Sequence, residues 1–191
     1  YPVWKGRARL KLIYYLQNLA FKRARGVIFL THYAANKIQE HCGELYNYVI
    51  IPHGVHMQNK VLLNRKMKSI EKQVDLIYVS NSAPYKNQWN VVEAVNLARN
   101  RGYNVALTLV GGGSGSAQQL TIDKINKIDP KREFVQQIGY IERAKVEALV
   151  VKSDIYVFAS SCENLPITLL EGMAFGLPII SSDRGPMPEV L

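Results

Sequence analysis

Asp154-Ile-Tyr-Val-Phe-Ala-Ser-Ser-Cys-Glu163-Asn-Leu-Pro-Ile-Thr-Leu-Leu-Glu171-Gly-Met-Ala-Phe-Gly-Leu-Pro-Ile-Ile180 reads as strand, loop, helix and strand in immediate succession. Residues 154–159 form a short run rich in β-branched and aromatic side chains, the composition of a buried strand. A helix is expected from about Pro166 to Phe175, and another strand from Pro178 to Ser181. Two carboxylates flank seven residues here: Glu163 just outside the helix and Glu171 within it. A helix whose interior is Ile167, Leu169, Leu170, Met173 and Phe175 seldom holds an unpartnered carboxylate, because desolvating a lone charge is costly. Cationic, hydroxyl or backbone partners are required, and a polyhydroxy ligand would supply them. The plainer alternative is a half-exposed Glu171 on a helix edge and a solvated Glu163 in a loop.

The same grammar extends upstream. Strands are expected at Asp75–Ser80, Val105–Val110 and Phe134–Ile138, with helices near Asn87–Asn100, Ser116–Lys127 and Arg143–Lys152. Alternating β and α segments with short apolar strands predict an α/β fold, a parallel sheet covered by helices on both faces. Right-handed crossovers put every strand-to-helix loop on one edge, where open α/β sheets bind ligands. That edge gathers Asn81 to Lys86, the Gly111–Gly115 turn, Tyr140 with Ile141, the Glu163 loop and Ser182 to Gly185. A lysine beside helix N-termini favours phosphate, and carboxylates favour sugar hydroxyls. A ligand with a phosphate end and a sugar end fits this rim.

The first 57 residues read as the tail of a preceding α/β domain. Gly26 to Leu30 is a short strand, Thr31 caps a helix ending at Gly43, and Tyr48 to Ile51 is a second strand. The polar stretch 58–73 is expected to be a linker, leaving 74–191 as a ligand-binding domain. That domain ends ten residues after its fifth strand, so a fragment of a longer protein is expected.

At 191 residues, 48% hydrophobic and 20% charged, the chain is globular, and no apolar run approaches the roughly 20 residues that span a bilayer. Cys42 and Cys162 are distant and lack metal-type spacing, so no metal is expected and a reducing cytoplasm fits. The net charge of +9 is concentrated: residues 1–39 hold eight Lys or Arg and no acid, while the rest holds 16 basic and 15 acidic residues. With the apolar run Leu10–Phe21 between basic clusters, residues 5–25 could lie on an anionic membrane surface or pack on their own domain with a solvated basic rim. No nucleic-acid motif accompanies the charge, so no nucleic-acid partner is expected.

Residues 154–180 strongly resemble the E-x7-E region of retaining GT-B glycosyltransferases, specifically the large family 4 (group 1). Tyr85-Lys86-Asn87, Leu109-Val-Gly-Gly-Gly113 and Pro52-His53-Gly54-Val55 match further family features, so the resemblance spans roughly 26–190. It implies a Rossmann-like C-terminal domain binding a nucleotide diphosphate sugar, with a glycan or lipid-linked acceptor held by the N-terminal domain. Together with the cysteine usage and the basic segment 5–25, the expectation is a cytoplasmic enzyme that could sit at the inner membrane face. By position, Glu163 would contact the donor sugar, and amides around Asn164, Leu165 and Pro166, with Thr168 nearby, would help hold sugar and phosphate. Glu171 would accept from the ribose hydroxyls, and the Tyr140–Ile141 backbone would pair with the base. Lys86 would neutralise the diphosphate as the nucleotide departs. The family's usual Gly-Arg before this lysine is Ser80-Asn81 here, and Asn81 cannot reproduce a bidentate arginine grip. Either Lys86 and the amides suffice, or Arg143 or Arg184 contributes.

Other readings of the same residues are weaker. The Gly111–Gly115 turn has Ser116 in place of the last fingerprint glycine and follows the second strand, which argues against a dinucleotide cofactor. Glu163 and Glu171 lie on one loop and helix, so they cannot easily bracket a glycosidic bond as a hydrolase pair. His32 and His53 fit loop and cap positions better than catalytic ones, and Cys162 is expected to be a small buried filler. A non-catalytic nucleotide or glycan-binding module and a GT-B-like epimerase are the remaining alternatives.

Overall fold

The computed structural model describes residues 3–55 and 72–191; most of the expected linker 58–73 lies outside the described residues. Short apolar runs separated by polar turns become strands β3 (Val74–Val79), β4 (Val105–Val110), β5 (Val135–Ile138), β6 (Ile155–Phe158) and β7 (Ile179–Ser181). All pair in parallel, in the spatial order β5-β4-β3-β6-β7. Central β3 sets the register, with Leu76 beside Leu107 on one side and Ile155 on the other. The expected α/β parallel sheet with intervening helices is therefore present.

Helices α3 (Gln88–Asn100), α4 (Ser116–Ile128), α5 (Arg143–Lys152) and α6 (Ile167–Ala174) make the crossovers. Their buried residues, among them Val91, Val92, Val95, Ile125, Val150 and Leu169, join Ile77, Tyr78, Leu107, Leu109 and Phe158 of the strands in one core. Gly172 lets α6 lie on the sheet, because a Cβ there would collide with the Tyr156 ring. The chain builds outward from β3 to β5, then returns to the other side of β3 for β6 and β7. The loops after β3 and β6 thus leave adjacent strands in opposite directions, and a crevice opens between them.

The first part of the chain is a smaller layer. Helix α1 (Val3–Arg23) precedes β1 (Val27–Phe29), α2 (His32–Cys42) and β2 (Tyr48–Ile50), and β1 and β2 pair in parallel. Thr31 caps α2 as expected, its hydroxyl accepting from the Ala34 amide at 3.1 Å, and Gly43 ends the helix at a φ of 85°. Phe29, Ala35, Cys42 and Leu45 form its core, with Phe21 of α1 stacked on Phe29.

Several boundaries differ from the sequence reading by a residue, and one of them bears on Lys86. The helix expected from Asn87 starts at Gln88, after a 3-10 turn at Pro84–Lys86. Asn87 has a φ of 55°, a left-handed conformation that asparagine tolerates better than most residues. This hinge ends the first turn and aims Lys86 at the crevice.

Candidate functional site

The crevice between β3 and β6 is where the expected site residues meet. Lys86 leaves the 3-10 turn and its Nζ lies 2.5 Å from Glu163 Oε1, with side-chain exposures of only 11% and 14%. Nζ also lies 5.2 Å from the centroid of the Phe158 ring and 5.3 Å from that of Tyr85. A cation in this aromatic, poorly hydrated niche interacts with ring faces as well as with the carboxylate. Beneath it the Tyr78 hydroxyl donates to the Lys86 carbonyl at 2.8 Å. Burial, the largest influence, pushes the Tyr78 phenol far above its ordinary range and keeps it a donor.

The two loops are tied to each other. The Ser161 amide donates to the Tyr85 carbonyl at 2.8 Å, and Asn87 Nδ2 donates to the Ala159 carbonyl at 2.9 Å. Behind them Gln88, 1% exposed, donates from Nε2 to Ser80 Oγ at 2.9 Å and to the Ser80 carbonyl at 3.1 Å. Such buried, satisfied polar groups fix loop shape, since leaving any one unpaired is costly. The turn after β4 completes the floor. Gly111, at a φ of 101°, has no room for a Cβ beside the Ser80 carbonyl, so its glycine answers to the neighbouring loop.

Glu171 lies elsewhere on α6. Its carboxylate is 30% exposed and sits 3.2 Å from Arg143 Nη2, while Arg143 Nε donates to Glu147 at 2.8 Å. Glu147, the first influence, and Glu171 hold the Arg143 guanidinium above its ordinary pKa. Glu171 is therefore half-buried and paired with a side chain, as a carboxylate on an apolar helix requires. Arg143 points to Glu171 and Arg184 pairs with exposed Asp183 at 3.6 Å, so neither cation named in place of Asn81's missing arginine pairs with Glu163 beside Lys86. Asn81 itself is exposed on the rim.

The remaining expected residues line the same edge. Leu165 and Pro166 are buried in the loop leading to α6, and Thr168 lies beside the buried Tyr156 hydroxyl, which has no hydrogen-bond partner in full geometry. Tyr140 is exposed, but its hydroxyl donates to the Gly112 carbonyl at 2.7 Å, joining the third loop to the glycine turn; Ile141 is partly buried beside it. Cys162, expected to be a buried filler, is exposed, and the buried positions of its loop are taken by Ser160 and Leu165. A hollow of about 380 Å³ separates Glu163 and Asn164 from Phe29, Tyr33, Lys37 and Ile38 of the smaller layer. Among the described residues no group of three His, Cys, Asp or Glu side chains is placed to hold a metal ion.

Residues 62–191 match the family described as glycosyl transferases group 1, which covers most of the chain. The chain belongs to the group 1 glycosyltransferases. Among curated relatives of this group 1 glycosyltransferase is the amylovoran biosynthesis glycosyltransferase AmsK of Erwinia amylovora. The two are 23% identical over 135 residues, which is 67% of this chain and 32% of AmsK. Among solved structures, S. aureus TarM, in complex with Fondaparinux, alpha-GlcNAc-glycerol and UDP, superposes with a TM-score of 0.72 at 19% identity, covering 88% of this chain and 32% of TarM. Anabaena Alr3699/HepE, in complex with UDP and glucose, gives 0.71 at 19% identity, over 91% of this chain and 48% of that one. At such identities the superpositions establish the GT-B-type fold of this group 1 glycosyltransferase, and the chain spans a third to a half of these proteins' lengths.

Sequence reasoning missed three groups that shape this site. Gln88 is hidden because a buried glutamine looks like any helix-start polar residue. Asn87 carried a usable signal, a Lys-Asn pair after a strand, where asparagine favours the left-handed turn. The Arg143–Glu171 pair depends on how α5 and α6 pack, which no local pattern encodes.

Proposed function

We propose that this chain is the donor-binding half, with part of the acceptor side, of a retaining family 4 glycosyltransferase that moves a hexose-type sugar from a UDP-sugar to a glycan or lipid-linked acceptor. The observation that carries this reading is the Lys86–Glu163 pair at the crevice between β3 and β6, the position where α/β sheets of this order bind ligands. UDP with glucose in HepE, and UDP with alpha-GlcNAc-glycerol in TarM, support a uridine donor. In the proposed reaction the bond between the anomeric carbon and the donor's diphosphate oxygen breaks, and a bond from the acceptor oxygen to the same face of that carbon forms. The acceptor proton leaves with the departing diphosphate. Lys86 opposes the negative charge growing on that diphosphate, and Glu163 holds the sugar hydroxyls. On opening the pair, Lys86 gains the diphosphate and Glu163 gains hydrogen bonds from sugar hydroxyls, so neither group is left without a polar partner, which limits the cost. The amides of Asn164 and Leu165 in the loop that runs to Pro166, the Thr168 region, Asn81 and the Tyr140–Ile141 backbone complete the donor grip, with Glu171 on the ribose. No metal has a role in this scheme, since Lys86 supplies the positive charge.

The test is donor turnover by the full-length protein with UDP-glucose and UDP-N-acetylglucosamine. Glu163→Gln is expected to lower turnover at least 100-fold, and Glu171→Ala to raise the UDP Kd about tenfold with less effect on turnover. Full turnover by Glu163→Gln ends the assignment.

Peripheral membrane contact through residues 5–25, at the inner face of the cytoplasmic membrane, is a second part of the proposal. No described helix is long and apolar enough to cross a membrane. Leu10, Leu12, Tyr15 and Leu16 are exposed on α1 among basic residues, which supports contact with anionic lipid. Equal, negligible co-sedimentation with neutral and anionic vesicles would remove this part.

A further inference from the structure

The Glu163 loop is held from both sides, and one side belongs to the smaller layer. Thr31, 2% exposed, donates its hydroxyl hydrogen to the Asn164 carbonyl at 3.3 Å while accepting from Ala34. Glu189 reaches the same helix end from the other part of the chain. Its Oε1 accepts from the His32 amide at 2.7 Å and its Oε2 from the Tyr33 amide at 2.8 Å. The first three amides of α2 are thereby satisfied, one by its own cap and two by a carboxylate more than 150 residues away. A carboxylate at a helix N-terminus also meets the favourable end of the helix dipole.

Glu189 is firmly rooted. It stands on α7 (Met187–Val190), whose Met187 is wholly buried in the main core. Just before α7, Gly185 turns with a φ of 61°, its open Cβ position 3.7 Å from the Glu163 amide nitrogen. Backbone around Gly185 therefore backs the Glu163 loop on one side, and Thr31 grips its next carbonyl on the other. Displacing α2 would release Asn164 and Glu189 together.

We propose that Glu189 is a positioning residue. By binding the α2 N-terminus it docks the smaller layer against the donor loop, so that Thr31 fixes the Asn164 carbonyl and hence the placement of Glu163. This inference rests on the glycosyltransferase reading above and extends it to a residue outside the donor grip. Neither Glu189 nor Thr31 is itself proposed to hold the nucleotide; the Asn164 carbonyl shares its peptide plane with the Leu165 amide of the donor grip, so the main effect belongs on turnover and a smaller one on UDP affinity.

The experiment uses the full-length protein, reading UDP release from UDP-glucose or UDP-N-acetylglucosamine, UDP affinity by calorimetry, and amide hydrogen exchange at His32 and Tyr33. Glu189→Ala is expected to lower kcat at least tenfold, raise the UDP Kd by a smaller factor, and speed exchange at both amides at least tenfold. Glu189→Gln keeps one acceptor oxygen and should fall between. It also stands in if the alanine variant does not fold. Thr31→Val should lower kcat in the same sense, Thr31→Ser should restore it, and Glu189→Ala with Thr31→Val should cost less than the product of the two separate losses. Unchanged kcat with faster exchange overturns the positioning role, and unchanged exchange overturns the contact itself. A wild-type protein that neither binds UDP nor releases it overturns the underlying reading, whereas amide exchange judges the Glu189 contact without any substrate.

Discussion

The main sheet and the smaller layer are built by the same rule, parallel strands joined through a helix, yet they hold together differently. The main sheet buries a continuous core on both faces of β3, with Ile77, Tyr78, Leu107 and Phe158 at its centre. Among the described residues the smaller layer closes on Phe29, Ala35, Cys42 and Leu45, and leaves Ile28, Val49 and Ile51 about half exposed or more. Two strands with one covered face are marginal on their own. Its order therefore leans on tertiary partners, and the contacts from Thr31 to Asn164 and from Glu189 to α2 are among them. The Glu163 loop is accordingly backed by the Gly185 turn of the main region on one side and held by Thr31 of the smaller layer on the other.

The sharpest way to break this contrast is Leu107→Ala. Leu107 is 1% exposed in the main core, and the substitution should cost about 2–5 kcal/mol. Urea unfolding should show a lower midpoint for the main sheet, and the smaller layer that leans on it should lose order no later; an unchanged main-sheet midpoint would contradict this place for Leu107. Asp129→Asn should have a smaller effect, about 1–2 kcal/mol. Burial raises the Asp129 pKa, but donation from the Phe134, Glu133 and Val135 amides, each at 2.8 Å, outweighs it and holds the carboxyl below its ordinary value. A depressed folded pKa adds stability that is complete above the unfolded value of about 4 and disappears as pH falls through the folded one. The gap between wild type and Asp129→Asn should therefore be widest near neutrality and shrink under acid. A gap independent of pH would refute the carboxylate's role. Least global of all is Phe29→Ala, for which hydrogen exchange should quicken across residues 27–50 while main-sheet amides change by less than about 0.5 kcal/mol. Equal loosening of both regions would show that they unfold as one.

Much of the fold was legible because strand and helix periodicity are local. The run Val105–Val110, the Thr31 cap and the Gly43 stop announce themselves within a few residues. Strand order is less local: right-handed crossovers fix the edge where loops gather, yet they do not say that β6 lies against β3. That adjacency, formed by residues some 80 apart, is what turns Lys86 and Glu163 from two rim residues into an ion pair. The reading of Cys162 failed for a related reason, since composition suggests burial and only the loop's path shows exposure. Glu189 was silent because a carboxylate near a chain's end looks solvated until its distant partner, the start of α2, is placed.

The short contact between Lys86 and Glu163 has a kinetic corollary. A cation and an anion that neutralise one another present little net field to an approaching dianion. On the proposed reading, the attraction that gathers donor molecules from solution then falls to the protein's uneven charge, above all the eight basic residues within 1–39. Encounter rates should drop steeply as ionic strength rises, while the lifetime of the bound nucleotide, governed by contacts inside the crevice, stays nearly constant.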